Sequence, residues 1–130
     1  MTDRNVIDTC GWLEVATSGV LEQTFLPFLA RLDQVVVPTV VIFECFRWGC
    51  RERSEDWAME LAGLLEQAKV VPLSAALALQ AATLAAIHGL AMADAIIYAT
   101  AQSVQADLIT CDAHFSGLPG VMYLPKLPAG

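Results

Sequence analysis

The sequence is short of positive charge. Seven Lys or Arg residues stand against fourteen Asp or Glu among 130 residues, so the formal net charge is −7. A field of this sign repels a phosphate backbone, which excludes a general basic face as the means of binding nucleic acid. Arg47, Arg51 and Arg53 form the one candidate patch for phosphate contacts. Arginines on a solvated helix face more commonly form local ion pairs.

Cysteine pairing patterns are also missing. Cys10, Cys45, Cys50 and Cys111 include no Cys-x-x-Cys pair, so neither a zinc knuckle nor a disulfide framework is indicated. We expect four reduced, buried thiols in a cytoplasmic protein. Because Cys45 and Cys111 adjoin acidic candidate ligands and Cys10 lies two positions from Asp8, a mixed thiolate and carboxylate zinc site stays an alternative.

The sequence shows no linker, internal repeat or low-complexity tract. We expect no signal peptide, because residues 1–5 lack a basic start and an apolar stretch. Residues 75–92 carry no charge over eighteen positions, a length that requires a membrane span to be considered. Their Ala-rich composition and the break at Gly89 favour two buried helices instead. With 56% hydrophobic residues, we predict one soluble domain over residues 1–130, without membrane association.

Short apolar runs alternate with longer helical stretches. We predict strands over 6–8, 34–37, 70–72, 108–110 and 121–124. We predict helices over about 10–18, 22–32, 39–52, 55–68, 74–88 and 91–105, with Ser74 as an N-cap and Gly89 as a C-terminal stop. This alternation is typical of a parallel sheet covered by helices on both faces, so the predicted fold class is α/β.

Four acidic residues lie inside apolar runs: Asp8, Glu44, Asp94 and Asp112. An isolated buried carboxylate is costly, so several of them in one chain indicate a shared positive charge, most simply a bound metal ion. Asp8 and Asp112 fall at or just past predicted strand ends, where parallel sheets bind ligands. Either residue alone could be an N-cap; the coincidence of four favours the metal.

Oxygen ligands without His or Cys spacing favour Mg²⁺ or Mn²⁺ over zinc. Carboxylates that hold one or two such ions suit phosphoryl transfer or phosphodiester hydrolysis, with a metal-activated water as the nucleophile. The sequence contains no Gly-rich phosphate loop, which argues against an NTPase.

The segments around these acids carry a family resemblance. They are Asp8-Thr9, residues 37–44, residues 92–101, and residues 108–115 followed by Pro119-Gly-Val. In order and spacing they resemble the motifs of PIN-domain ribonucleases, and most closely those of VapC-type toxins from toxin–antitoxin modules. The resemblance covers about residues 5–125.

This resemblance implies a three-layer α/β/α domain with a short parallel sheet, a Mg²⁺- or Mn²⁺-dependent endoribonuclease activity on RNA, and inhibition by a cognate antitoxin. The implied metal-binding and catalytic residues are Asp8, Glu44, Asp94 and Asp112, with Thr9 and Thr110 as supports of metal or water. Cys111 departs from the family pattern, in which Arg, Asn or Ala is more usual, so we expect no basic substrate contact there. We also expect a homodimer.

Other residues receive structural interpretations. We expect His114 to cap or pack near a helix start rather than to affect the reaction rate. The three Trp residues, at 12, 48 and 57, are expected in the core or at a dimer interface rather than stacked on bases. Glu14 and Asp107 are expected on the surface.

Two alternative functions remain. A PIN fold could be an inert binding module, since a fold does not fix a chemistry. Cys45 and Arg51 also have the Cys-x5-Arg spacing of a cysteine phosphatase, although Phe46 and Trp48 are bulky for a loop that cradles phosphate.

Overall fold

Five short parallel strands form one sheet in the order β3-β2-β1-β4-β5. They are β1 (Asn5–Ile7), β2 (Val35–Pro38), β3 (Lys69–Val71), β4 (Asp107–Thr110) and β5 (Val121–Tyr123). This computed structural model describes residues 3–126. The first two and last four residues of the predicted 1–130 domain therefore lie outside the described part.

Six helices flank the sheet and make a three-layer α/β/α arrangement. They are α1 (Thr9–Ala16), α2 (Glu22–Leu29), α3 (Thr39–Glu52), α4 (Glu55–Leu65), α5 (Ala75–His88) and α6 (Met92–Ser103). Short 3₁₀ turns lie at Leu32–Gln34 and Ala113–Phe115. The predicted α/β class is confirmed, and each predicted strand and helix is present with its ends shifted by at most about three residues, as is usual for sequence-based boundaries.

The apolar runs in the central strands are explained by the burial of these strands. Val6, Ile7, Leu108 and Ile109 are all fully buried, and residues 35–37 of β2 are at most 3% exposed. A parallel sheet covered on both faces has no solvent side, so its strands lose the alternation of apolar and polar residues.

The uncharged stretch of residues 75–92 forms α5 and the start of α6, with the predicted turn between them. Ser74 Oγ accepts a hydrogen bond from Leu77 N at 3.1 Å, and Gly89 ends α5 in the left-handed region at φ 67°, which suits a residue without a Cβ. The expectation of two buried helices is right for α6 and wrong for α5. α6 buries the whole run 95–101, whereas α5 packs through one stripe and leaves the rest exposed.

The length and apolarity of these helices bear on membrane spanning. Within residues 3–126, no one helix has the length and apolarity to cross a bilayer; α5 and α6 meet the criteria only as a pair, and that pair is bent by 113°.

Two surface expectations, for Glu14 and Asp107, and the expectation of four buried thiols need correction. Glu14 is buried, at 7% exposure, because its carboxylate accepts a hydrogen bond from Leu21 N at 3.3 Å and pairs with Lys126. Asp107 is partly buried at the start of β4. Among the thiols, all of them free, Cys45 is buried, Cys10 and Cys111 are partly buried, and Cys50 is exposed.

The structural interpretation of the tryptophans is confirmed for Trp12, and a dimer interface at Trp48 or Trp57 stays a prediction. Trp12 is 2% exposed in the core. Trp48 and Trp57 pack against each other with ring centroids 5.8 Å apart, and the Arg53 guanidinium lies over both rings.

Candidate metal centre

Four elements carry the predicted acids to the carboxyl-terminal edge of the sheet. Asp8 follows β1 directly and remains tied to β4, because its backbone N–H donates to Ile109 O at 3.0 Å. Asp112 lies two residues beyond the end of β4. Asp94 lies in the first turn of α6, and Glu44 lies in α3, the helix that directly follows β2.

Asp8 is the most enclosed of the four, at 4% exposure. Its Oδ1 accepts a hydrogen bond from Thr9 N at 2.8 Å, and its Oδ2 accepts one from Thr110 Oγ1 at 2.7 Å. Burial raises the pKa of Asp8 to about 6. The hydrogen bonds from Thr110 and Thr9 oppose this rise, and the charges of Asp94 and Asp112 add to it.

Asp94 and Asp112 form the tightest part of the site together with His114. One potential ligand atom from each of the three lies within 4.8 Å of the others. His114 Nδ1 is 3.5 Å from Asp94 Oδ2 and 3.2 Å from Asp112 Oδ1. The pKa of Asp94 is raised, first by burial and then by the charge of Asp112. The expectation that His114 would cap or pack is therefore wrong, since its ring is exposed and contacts two site carboxylates.

Glu44 lies at the margin of this group. Thr9 Oγ1 donates a hydrogen bond to Glu44 Oε1 at 2.7 Å, and the charge of Glu44 contributes to the raised pKa of Asp94. Glu44 does not belong to the three-residue cluster of Asp94, Asp112 and His114.

The two predicted supporting threonines contact carboxylates. Thr110 is fully buried; its hydroxyl donates to Asp8 and accepts the backbone N–H of Asp112 at 2.9 Å. One hydroxyl thus fixes two acids from different segments.

The structural interpretation of Asp8 and Asp112 as N-caps is also correct. Asp8 caps α1 through Thr9 N, and Asp112 caps the turn at 113–115 by accepting from His114 N at 2.9 Å. Each carboxylate has capacity beyond its capping bond, since an ionised carboxylate offers about four lone-pair sites.

The donor set fits a small divalent cation. Among the ion pairs of residues 3–126, the only basic side chain that contacts these acids is His114, and no Lys or Arg compensates the crowded carboxylates. Carboxylate oxygens with one imidazole suit Mg²⁺ or, with the imidazole as ligand, Mn²⁺. Within the described range, the group of potential ligands contains no cysteine, so the zinc–thiolate alternative gains no support.

A contact between Cys10 and Cys111 was not foreseen. The backbone N–H of Cys111 donates to Cys10 Sγ at 3.2 Å, and Cys10 Sγ lies 3.6 Å from Asp8 Oδ2. The register that sets Ile7 opposite Ile109 explains it, because the segments that leave these paired strands stay adjacent. Register is not visible in a single sequence, so this contact could not be read from spacing.

The cysteine phosphatase alternative does not match the geometry. Cys45 and Arg51 both lie in α3, where six residues of separation turn their side chains roughly 120° apart around the axis. Cys45 is buried and Arg51 is exposed, and burial raises the pKa of the Cys45 thiol to about 12. No phosphate loop surrounds this thiol, and at neutral pH it is protonated.

Comparison with known proteins agrees with this fold. The PIN domain pattern matches residues 6–121. A chain of the toxin–antitoxin complex from Klebsiella pneumoniae is 25% identical, with coverage of 91% of this chain and 95% of that chain and a TM-score of 0.76.

Two further solved structures share the fold at lower identity. The sarcin–ricin loop cleaving toxin VapC20 of Mycobacterium tuberculosis is 18% identical over 80% of this chain and 86% of that chain, with a TM-score of 0.69. VapBC2 from Rickettsia felis, bound to a DNA fragment from its promoter, is 16% identical over 93% and 97%, with a TM-score of 0.70. No protein of curated function matches the chain in sequence.

Proposed function

This chain belongs to the PIN-domain family, and we propose that it is a Mg²⁺- or Mn²⁺-dependent endoribonuclease that acts as the toxin of a toxin–antitoxin module. The observation that carries the proposal is the gathering of buried and half-buried carboxylates at one edge of the sheet without a Lys or Arg counter-charge. Similarity to a toxin–antitoxin chain over most of both chains supports the biological role.

The proposed catalytic and metal-binding residues are Asp8, Glu44, Asp94 and Asp112. A bound divalent ion would supply Lewis-acid activation of water and stabilise charge on the scissile phosphate. Thr110 holds Asp8 and the backbone of Asp112, and Thr9 holds Glu44, so their hydroxyls pre-position the ligands. His114 borders the cluster with an exposed ring, which can contact a phosphate oxygen of the substrate.

An inert binding module is the rival within the same fold. Nothing in a fold requires activity, but uncompensated carboxylates reduce stability, and a module that only presents a surface gains nothing from keeping them together. The retained cluster therefore favours a catalyst.

For partners, we infer an RNA substrate, a cognate antitoxin and a second copy of the chain, all in the cytoplasm. The antitoxin is expected to bring an Arg or Lys in its C-terminal segment to the four acids, because a guanidinium pairs with carboxylates and can replace the positive charge of the metal. Mutation of that basic residue to Ala should weaken inhibition; undiminished inhibition would contradict this contact.

The function is tested by incubating purified, antitoxin-free protein with total RNA and Mg²⁺ or Mn²⁺, then mapping the cut ends. Discrete cuts are expected from the wild type. Asp8→Asn, Glu44→Gln, Asp94→Asn and Asp112→Asn should each lose about 100-fold or more of the cleavage rate, and the losses should not add in combination, because the four act as one site. Near-full activity in two or more of these variants would place the active site elsewhere.

A further inference from the structure

A cleft of about 240 Å³ opens beside the candidate metal centre, between α1 and α3. Thr9 and Leu13 of α1 line it together with Phe43, Glu44, Arg47, Trp48 and Arg51 of α3. Two of these seven residues, Thr9 and Glu44, belong to the proposed site. The cleft is therefore continuous with the place where an RNA phosphodiester would be cut.

The α3 side of the cleft carries side chains at regular helical spacing. Phe43, Arg47 and Arg51 are spaced four residues apart, so they form one stripe that rises about 6 Å per step. The stripe begins next to Glu44 and leads away from the acids. Along the stripe, an aromatic side chain is followed by two guanidinium groups.

These side chains are available to a ligand. Phe43 is 62% exposed, which is unusual for a large aromatic side chain. Arg47 is exposed and has no ion pair or hydrogen bond within residues 3–126. In the same described range, the ion pair of Arg51 is with its neighbour Glu52, both at least 49% exposed, and such a pair is weak enough to be exchanged for a phosphate.

Arg53, the third member of the cluster, is engaged differently. Its guanidinium lies 5.9 Å from the Trp48 ring and 5.4 Å from the Trp57 ring. Arg53 thus packs on Trp48, which lines the cleft, but does not line the cleft itself. The candidate anion contacts within the cleft are therefore Arg47 and Arg51.

We propose that this cleft is an RNA nucleotide subsite. It binds the single-stranded nucleotides next to the scissile phosphate, with phosphate oxygens on Arg47 and Arg51 and a base stacked on Phe43. The inference rests on the proposed nuclease function and deepens it. A protein of net charge −7 needs local cations to hold a polyanion beside four carboxylates, and this stripe supplies them. A basic antitoxin segment suits the carboxylates and is repelled by the same stripe.

The test compares initial rates for Arg47→Ala, Arg51→Ala and the matched control Arg31→Ala. Arg31 also forms an exposed pair with a nearby acid, Asp33, but lies outside the cleft. The substrate is a single-stranded RNA oligonucleotide that spans a site the wild type cuts in total RNA. We expect each cleft variant to raise KM roughly tenfold with kcat nearly unchanged. The slope of log kcat/KM against the logarithm of the salt concentration is negative, and it should become less steep by about 0.7 for each cleft variant. Arg31→Ala should change neither quantity.

A second comparison tests the stacking platform. Phe43→Tyr should keep the wild-type KM, whereas Phe43→Ala should raise it by about five- to tenfold or more, since base stacking contributes about 1–3 kcal/mol per base. Equal KM values for both variants would overturn the stacking contact.

The outcomes separate the two proposals. If the wild type cuts RNA and the Arg47 and Arg51 variants match Arg31→Ala in KM and salt slope, the subsite is wrong and the nuclease stands. If those variants cut RNA normally but bind the antitoxin more weakly, the cleft belongs to the antitoxin and the subsite is also wrong. A wild type that cuts no RNA in either metal overturns the nuclease function itself.

Discussion

At the scale of single residues, the site depends on hydroxyl groups as well as on acids. Thr110 is fully buried and bridges Asp8 Oδ2 and Asp112 N. It touches neither solvent nor a substrate position, so its role is to position two proposed ligands that come from separate segments of the chain. Removal of such a support typically costs 10- to 100-fold in metal affinity or activity.

Thr110→Val keeps the shape of the side chain and removes both hydrogen bonds. We expect it to weaken Mn²⁺ binding by about 10- to 100-fold, measured by isothermal titration calorimetry. Thr110→Ser should restore most of the affinity because it returns the hydroxyl. If Val binds Mn²⁺ as tightly as Ser does, the hydroxyl does not organise the site.

The protonation of Asp8 predicts how stability changes with pH. Its folded pKa of about 6 lies above its ordinary value of 3.8, so the native state binds more protons than the unfolded state between these values. Without metal, the free energy of unfolding should fall as pH rises from about 4 through about 6. This one group accounts for a loss of about 3 kcal/mol. Metal-free protein should therefore melt at a higher temperature at pH 5 than at pH 7.5.

A divalent ion competes with that proton. Mn²⁺ should raise the melting temperature more at pH 7.5 than at pH 5, because binding requires deprotonated ligands. Asp94→Asn, which removes another acid whose pKa is raised, should stabilise the metal-free protein near neutral pH and respond less to Mn²⁺. An equal response of wild type and variant to the ion would argue against Asp94 as a ligand.

At the scale of elements, α3 combines three roles in fourteen residues. One face packs in the core through Cys45, one position directs Glu44 to the candidate metal centre, and the exposed stripe faces the cleft. The helical phase also separates the thiols, with Cys45 inside and Cys50 outside.

This phase predicts thiol reactivity. Iodoacetamide at pH 8 should alkylate Cys50 rapidly and leave Cys45 unmodified in the folded protein, because burial raises the pKa of Cys45 to about 12 and blocks access. Peptide mass spectrometry before and after denaturation distinguishes the two sites. Rapid modification of native Cys45 would contradict the burial and revive a reactive thiol in this helix.

The elements were predictable from sequence because their signals are local. Strands β1, β2 and β4 contain short apolar runs, and Asp8, Glu44, Asp94 and Asp112 are predicted because each is an acid within an apolar stretch of the sequence. His114 is wrongly expected to cap or pack, because its contacts with Asp94 and Asp112 depend on the fold and not on its neighbours in the sequence. Glu14 is buried against the expectation because its carboxylate is held by Leu21 N, in the turn that follows α1, and by Lys126, which is distant in sequence and reaches Glu14 only in the fold.

At the scale of the whole molecule, the distribution of charged and apolar side chains assigns the proposed partners to different surfaces. The net charge of −7 is set against one exposed arginine stripe at the cleft, so a polyanionic substrate has one favourable approach. The apolar side chains Leu79, Ile87 and Met92, each at least 66% exposed on or next to α5 and α6, offer a separate surface for the proposed second copy of the chain.

We propose that one acidic centre both binds the metal and cuts RNA. The most direct measurement titrates Mn²⁺ into wild type, Asp94→Asn and the control Asp33→Asn, an exposed acid outside the centre, and records bound Mn²⁺ by electron paramagnetic resonance and RNA cleavage in the same samples. We predict that binding and cleavage rise together in the wild type and in Asp33→Asn and that both are lost in Asp94→Asn. Cleavage that persists in Asp94→Asn, or that proceeds in wild type without bound Mn²⁺ or Mg²⁺, would contradict the claim.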